Sequence, residues 1–340
     1  MTASNDHTIT CRFSDGIEHL LKVPQGTEVL HAALASNVPI LHQCQSGSCG
    51  SCIGKVVNGD LQMRKDTASS LLKDEQEQGL RLMCSSLAYS DSTVEFEYPS
   101  TLFAPRQVSA FVNSIEWIAT DAVRLKLELA EGDWVDFSPG QFVRMEIPGS
   151  GQWRSYSMAT SPEQIPKLDF LIRTLPDGVM SNYLRDKAAI DDVIKLEGSF
   201  GSFFLREQRA ASNIMIAGGT GLAPMLSMLD VIRQRSGRKP RTLLSFGCMN
   251  EDALFALEDL DLRQYWMKEL EVRISLDQGC PTGQYRSGNP VEAITREDVG
   301  SDTIAYLCGP PGMVKAAFGH LQSLGVELAN IHAEQFVPSE

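Results

Sequence analysis

No stretch of this 340-residue chain is both long and apolar enough to cross a bilayer as a helix. Positive charge is also in deficit, with 30 Lys and Arg against 43 Asp and Glu and a formal net charge of −13. That balance argues against direct contact with DNA or RNA, which needs clustered cations along the phosphates. The opening residues, Met-Thr-Ala-Ser-Asn-Asp-His, have neither a basic start nor an apolar core, so no secretion signal and no membrane partner are expected. Internal repeats and low-complexity tracts are missing. A disulfide framework is missing too: outside one cluster, Cys11, Cys248, Cys280 and Cys308 are scattered. Cys11 and Cys248 lie in strand-like apolar surroundings and read as small buried hydrophobes. This usage suits a reducing compartment, and the expected location is the cytoplasm. The length exceeds one ordinary core, so two or three domains are expected.

What is present is a cysteine cluster. Cys44, Cys49 and Cys52 form a C-x4-C-x2-C run, and Cys84 follows after a long gap. This is the plant-type ligand spacing for a [2Fe–2S] cluster. Four thiolates must converge on two irons, so three come from one tight loop and the fourth from a distant strand. The small residues between them (Ser46, Gly47, Ser48, Gly50, Ser51) let backbone N–H groups turn toward sulfur. A zinc site or a disulfide pair is the alternative, but zinc usually takes two short ligand pairs. The spacing points to electron transfer.

Three segments follow from the periodicity. Up to about residue 99, strands at 8–13 and 18–23 flank the hairpin turn Ser14-Asp15-Gly16. Thr27 is expected to cap a short helix with Val29, Leu30, Ala33 and Leu34 on its apolar face. A closing strand at 92–98 completes a small, mostly β domain. Residues 100–106, with Pro105, read as a linker. From 107 to 206 come strands at 108–118, 123–129, 141–147, 154–159 and 168–173, suggesting a barrel. Beyond 207, strands near 213–217, 242–246, 272–276 and 303–308 alternate with helical stretches, which argues for a parallel sheet.

Several motifs sit on these elements. Arg154-Ser155-Tyr156-Ser157 ends a barrel strand, where arginine suits a diphosphate and tyrosine a flat ring system. Alone it is weak, since Arg, Tyr and Ser alternate on many exposed strands. Leu171-Ile172-Arg173 leads to Gly178-Val179-Met180-Ser181, where a helix start offers amides and a hydroxyl to a phosphate. Gly198-Ser199-Phe200-Gly201 reads as a further tight turn. Gly218-Gly219-Thr220-Gly221 follows a strand and opens a helix, the context of a nucleotide-binding turn, although it does not match G-x-G-x-x-G. A glycine turn serving only tight packing is the other reading. Cys308-Gly309-Pro310 ends a later strand, where doubly wound sheets bind ligands.

In order, these motifs resemble those of the three-domain reductase components of bacterial aromatic-ring-hydroxylating dioxygenases, of the benzoate dioxygenase reductase type. The resemblance covers nearly the whole chain. It implies a β-grasp-like [2Fe–2S] ferredoxin domain (1–99), a linker (100–106), an antiparallel β-barrel FAD domain (107–206) and a doubly wound nicotinamide domain (207–340). It implies cluster ligation by Cys44, Cys49, Cys52 and Cys84. FAD is expected on Arg154, Ser155, Tyr156 and Ser157, on Leu171, Ile172 and Arg173, and on Gly178, Val179, Met180 and Ser181. NADH is expected on Gly218, Gly219, Thr220 and Gly221, and on Cys308, Gly309 and Pro310. Ser157, Cys308 and Glu334 take catalytic roles, with Phe336 beside the flavin. NADH gives two electrons as hydride, a flavin divides them, and the cluster passes them singly to a Rieske oxygenase or a ferredoxin.

This chain departs from the pattern at Gln45, at Ser199, at 248–252 and at 277–290. The acidic Glu251 and Asp252 disfavour a 2′-phosphate and hence NADPH. Tyr285 and Arg286 either line the nucleotide site or obstruct it. If they obstruct it, the chain is a redox sensor acting through a regulatory protein while retaining FAD and the cluster.

Overall fold

The computed structural model describes residues 6–42, 45–47, 50–67, 69–71, 73–101, 106–206, 211–280 and 282–336. It divides into two compact units, Met1–Pro105 with Phe200–Ser202, and Arg106–Ser199 with Phe203–Glu340. No helix among the described residues is long and apolar enough to cross a membrane.

The first unit is built on a five-stranded sheet. Strands His7–Phe13 and Glu18–Val23 form the expected antiparallel hairpin, and Ser92–Phe96 pairs in parallel with the first of them. Ile53–Asn58 lies antiparallel to Ser92–Phe96, with Leu80–Leu82 at the far edge. Alternation explains the core: Ile9, Cys11 and Phe13 point inward beside Leu21, Val23, Val94 and Phe96. The helix runs Val29–Ala35, and Thr27 does not cap it. Glu28 holds the cap position without a side-chain capping bond, and its carboxylate accepts instead from Arg64 at 2.7 Å. Phe13, Phe96 and Tyr98 pack together at centroid separations of 5.1 to 5.8 Å. The Tyr98 hydroxyl, buried with them, accepts the Leu41 amide at 2.9 Å.

The second unit opens with a six-stranded antiparallel sheet. Its order is Trp153–Ser157, Phe142–Glu146, Val193–Phe200, Arg106–Ala119, Ala122–Leu129, Lys167–Arg173. An antiparallel bridge between Met158 and Phe170 joins the two edges and closes the barrel. Val123, Leu125, Leu127, Phe170 and Ile172 fill the interior. Ala122, Arg124, Asp169 and Leu171 therefore face outward on the two adjacent strands. The expected turn at 198–201 is instead largely strand, because Val193–Phe200 carries Ile194 and Leu196 inward up to Gly198.

The rest of this unit is a parallel sheet. Its order is Arg286–Ser287, Leu270–Leu276, Arg241–Cys248, Ser212–Gly218, Thr303–Gly309, Ile331–Gln335. The order reverses between Ser212–Gly218 and Thr303–Gly309, so a crevice opens at their carboxyl ends. Helix Leu222–Gln234 is buried round most of its circumference, not along one stripe. The sheet covers one side of it, and outward barrel residues Ala122, Ala159 and Leu171 share its apolar cluster.

Tyr98→Phe keeps the aromatic packing but leaves the buried Leu41 amide without its acceptor. The expected loss is about 1–3 kcal/mol, read as a lower chemical-denaturation midpoint and faster amide exchange at Leu41.

Candidate functional site

Strand pairing brings two of the four predicted cluster ligands together. Cys52 directly precedes Ile53–Asn58 and Cys84 follows Leu80–Leu82, and Ile53 pairs with Leu82. Both cysteines are buried, and the Cys84 amide donates to Cys52 Sγ at 3.4 Å. An amide directed at sulfur is what a ligating thiolate requires, so this pair fits a cluster. In the preceding loop, Gln45, Gly47 and Gly50 have left-handed backbone, with φ of 54°, 85° and 73°. Cys44 and Cys49 lie outside the described residues.

On the barrel, Arg154 and Tyr156 share one face of their strand, while Ser155 and Ser157 share the other. The Arg154 guanidinium is at the rim and donates to Trp153 O and Gln152 Oε1, both at 2.9 Å. Burial raises the Tyr156 phenol above its ordinary range. Leu171 points to the nicotinamide-side apolar cluster and Ile172 into the barrel, so contact with a flavin from either falls to its backbone. Arg173 projects outward to Asp121 at 3.3 Å. Gly178 begins helix Val179–Asp186 without a side-chain cap, which leaves its first amides for an anion. A Cβ at Gly178 would meet Ser181 Oγ at 2.7 Å. That hydroxyl is buried and accepts the Leu175 amide at 2.8 Å, keeping its own proton to donate. An uncapped helix start and a rim guanidinium together suit a diphosphate such as that of FAD. Val179 packs against the barrel core and Met180 is part of it.

The three residues given catalytic roles converge. Ser157 Oγ, on the barrel, donates to Glu334 Oε2 at 3.1 Å. Glu334 lies on strand Ile331–Gln335 in register with Cys308 of the neighbouring strand. Burial drives the Glu334 carboxyl from an ordinary 4.5 to about 8, against a smaller opposing effect from the Ser157 hydrogen bond. Burial, with Glu334 nearby, likewise holds the fully enclosed Cys308 thiol well above its usual range. The site thus offers a neutral thiol, a hydroxyl and a carboxyl that holds its proton near neutral pH. Phe336 follows directly, and its amide donates to Gly309 O at 2.9 Å.

In the glycine turn the packing reading holds at two positions. A Cβ at Gly221 would lie 2.2 Å from Cys308 O, and one at Gly218 would lie 2.7 Å from Met313 Sδ. Those two positions are demanded by packing. Gly219, with φ of 54°, has open space where a side chain would go and is the turn's exposed backbone. Thr220 is buried, and Pro310 precedes helix Pro311–Ser323.

At the end of strand Arg241–Cys248, Glu251 accepts from Thr282 Oγ1 at 2.7 Å and from Cys280 Sγ at 3.1 Å. These hydrogen bonds hold its carboxyl below the usual range. Tyr285 packs against the apolar cluster and Arg286 is exposed on the edge strand. Sequence reasoning missed Gln141, whose Oε1 accepts the Ser138 amide at 2.8 Å and the Ser199 hydroxyl at 3.1 Å. The departure from the pattern at Ser199 was the available signal.

Comparison with known proteins agrees with this architecture. Residues 13–89 match the 2Fe-2S iron-sulfur cluster binding domain family. Residues 109–205 match the oxidoreductase FAD-binding domain and residues 215–318 the oxidoreductase NAD-binding domain. The 2-halobenzoate 1,2-dioxygenase electron transfer component of Burkholderia cepacia is 31% identical over 344 residues, covering 98% of each chain. The toluate 1,2-dioxygenase electron transfer component of Pseudomonas putida is 29% identical over 338 residues, covering 98% of this chain and 99% of the relative. Among solved structures, the Amycolatopsis cytochrome P450 reductase GcoB superposes with a TM-score of 0.74 at 28% identity, over 97% of this chain and 99% of that one.

Two outcomes follow from the geometry. Gly221→Ala forces a Cβ onto backbone and lowers stability by about 1–3 kcal/mol, whereas Gly219→Asn tolerates the left-handed backbone and leaves the thermal midpoint nearly unchanged. Glu334 binds its proton more tightly folded than unfolded, so its contribution to stability falls as pH rises from about 4.5 and levels off beyond about 8. Thermal midpoints across that window should fall less for Glu334→Gln than for the parent.

Proposed function

Because the chain belongs to the family of oxygenase electron-transfer components that join [2Fe–2S], FAD and NAD domains, we propose that it carries electrons from NADH to an aromatic-ring oxygenase or its ferredoxin. It is an electron-transfer oxidoreductase, and its cofactors are a [2Fe–2S] cluster, FAD and NAD(H). The observation that carries the proposal is the meeting of Ser157 and Glu334 at 3.1 Å with Cys308 in register. The FAD, when bound, supplies the exchange between a two-electron donor and a one-electron acceptor.

The residues then have separate tasks. Ser157 orients the protonated Glu334, whose carboxyl offers a hydrogen bond beside the ring site, and the buried Cys308 packs neutral behind it. Arg154 and the start of helix Val179–Asp186 bind the diphosphate. Gly219 exposes backbone to the nicotinamide nucleotide, and Glu251 with Asp252 disfavours a 2′-phosphate. Cys44, Cys49, Cys52 and Cys84 hold the cluster. We place the domains at 1–99, 107–206 and 207–340, with strand Arg106–Ala119 taking Arg106 out of the expected linker. With no disulfide among the described cysteines, a reducing cytoplasm is the natural location. The packing of Tyr285 against the apolar cluster favours the enzyme over the obstructed-site sensor.

Anaerobic titration with NADH should bleach flavin and cluster in stoichiometric amounts, with NADPH much less effective. Cys84→Ser should retain NADH-driven bleaching of the flavin but lose the cluster absorbance and reduction of the acceptor. Reduction by dithionite but by neither nucleotide would overturn the proposal in favour of the sensor.

A further inference from the structure

Alternating charges cross the seam between the barrel and the nicotinamide sheet. On the outer barrel face, Arg124 Nε donates to Asp169 Oδ2 at 2.8 Å, and Nη2 reaches the same oxygen. Its third nitrogen, Nη1, crosses to Asp259 Oδ2 at 2.8 Å, on helix Leu257–Trp266. Arg263, one turn further along that helix, donates to Asp259 O at 3.0 Å and to Asp230 Oδ2 at 2.7 Å. Asp230 belongs to helix Leu222–Gln234, whose Ser227 hydroxyl also crosses the seam to Thr160 O at 2.6 Å. All five charged side chains are at least three-quarters buried, with exposures of 5–23%.

Apolar contact alone already covers this seam, through Ala122, Ala159 and Leu171. Apolar contact is non-directional and permits sliding, whereas a charged guanidinium N–H held to a carboxylate oxygen fixes direction and distance. Ser157 stands on the barrel and Glu334 with Cys308 on the sheet, so their meeting depends on how these two bodies are registered.

We infer that Arg124 and Asp259 are positioning residues for hydride transfer, pinning the nicotinamide sheet to the flavin barrel so that donor and acceptor rings meet at reacting distance. This rests on the function proposed above. Asp169 explains why the pin is anchored on the barrel side: its Oδ1 is buried with no partner among the described residues, so its charge depends on Arg124. Cutting the ladder at Asp259 leaves that buried pair intact and removes the crossing bond, together with the looser contact of Arg263 Nη1 with Asp259 Oδ1 at 3.7 Å.

The test uses the full chain loaded with both cofactors. Asp259→Ala should lower the limiting rate of anaerobic flavin reduction at saturating NADH by ~10- to ~100-fold, with FAD content and reduction by dithionite unchanged. Asp259→Glu should restore most of that rate. Amide exchange should rise on both sides of the seam, in strand Lys167–Arg173 and helix Leu257–Trp266, and stay level in strand His7–Phe13. An unchanged limiting rate with unchanged exchange would overturn the inference. So would a loss of rate that accompanies loss of FAD and is not restored by glutamate, since that is a purely structural role. If the parent is not reduced by NADH at all, the proposed function fails, and the exchange pattern alone then decides whether the pin exists.

Discussion

One hydrogen bond, from a barrel hydroxyl to a sheet carboxyl, ties together the two halves of the larger unit. Ser157 and Glu334 are separated by 177 residues in the chain and by 3.1 Å in space. Closure of the barrel through Met158 and Phe170 fixes the first partner. Addition of Ile331–Gln335 to the sheet edge beside Thr303–Gly309 fixes the second. Neither body builds the site alone. The apolar seam around Leu222–Gln234 and the charges along it matter because they set the relation between the two.

Burial gives these groups their chemistry. A solvated carboxyl would be ionised at neutral pH, and a solvated thiol would be partly reactive. Enclosure keeps the Cys308 thiol neutral and partial burial keeps the Glu334 carboxyl protonated near neutral pH, so the crevice carries a hydrogen-bond donor instead of a charge. That environment suits transfer of a hydride, which carries its electrons without needing a base. On the smaller unit the logic is reversed: an amide directed at Cys52 Sγ favours the thiolate.

Much of this was legible in the sequence, for identifiable reasons. Alternation in Ala122–Leu129 marks a half-buried strand, the apolar run in Lys167–Arg173 marks one covered on both faces, and the cysteine spacing is tied to one cluster geometry. Ile331–Gln335 carried no such signal, because an edge strand held by backbone pairing needs little apolar pattern, and Ile-His-Ala-Glu-Gln has almost none. Only resemblance placed Glu334 near the flavin. Thr27 looked like a cap by residue type, yet the chain enters the helix a residue later. Arg124 and Asp259 were invisible as a pair, being 135 residues apart on elements that read as ordinary solvated faces.

The turn at Gly218–Gly221 separates two kinds of constraint within four residues. Gly218 and Gly221 are frozen by neighbours that leave no volume for a carbon, while Gly219 meets only open space. Inheritance acts differently on each. Gly221 can change only if the backbone of strand Thr303–Gly309 moves, and Gly218 only if Pro310 and Met313 shift, so both tie the turn to its neighbours. The middle one can give way to any residue that accepts left-handed backbone without displacing a neighbour.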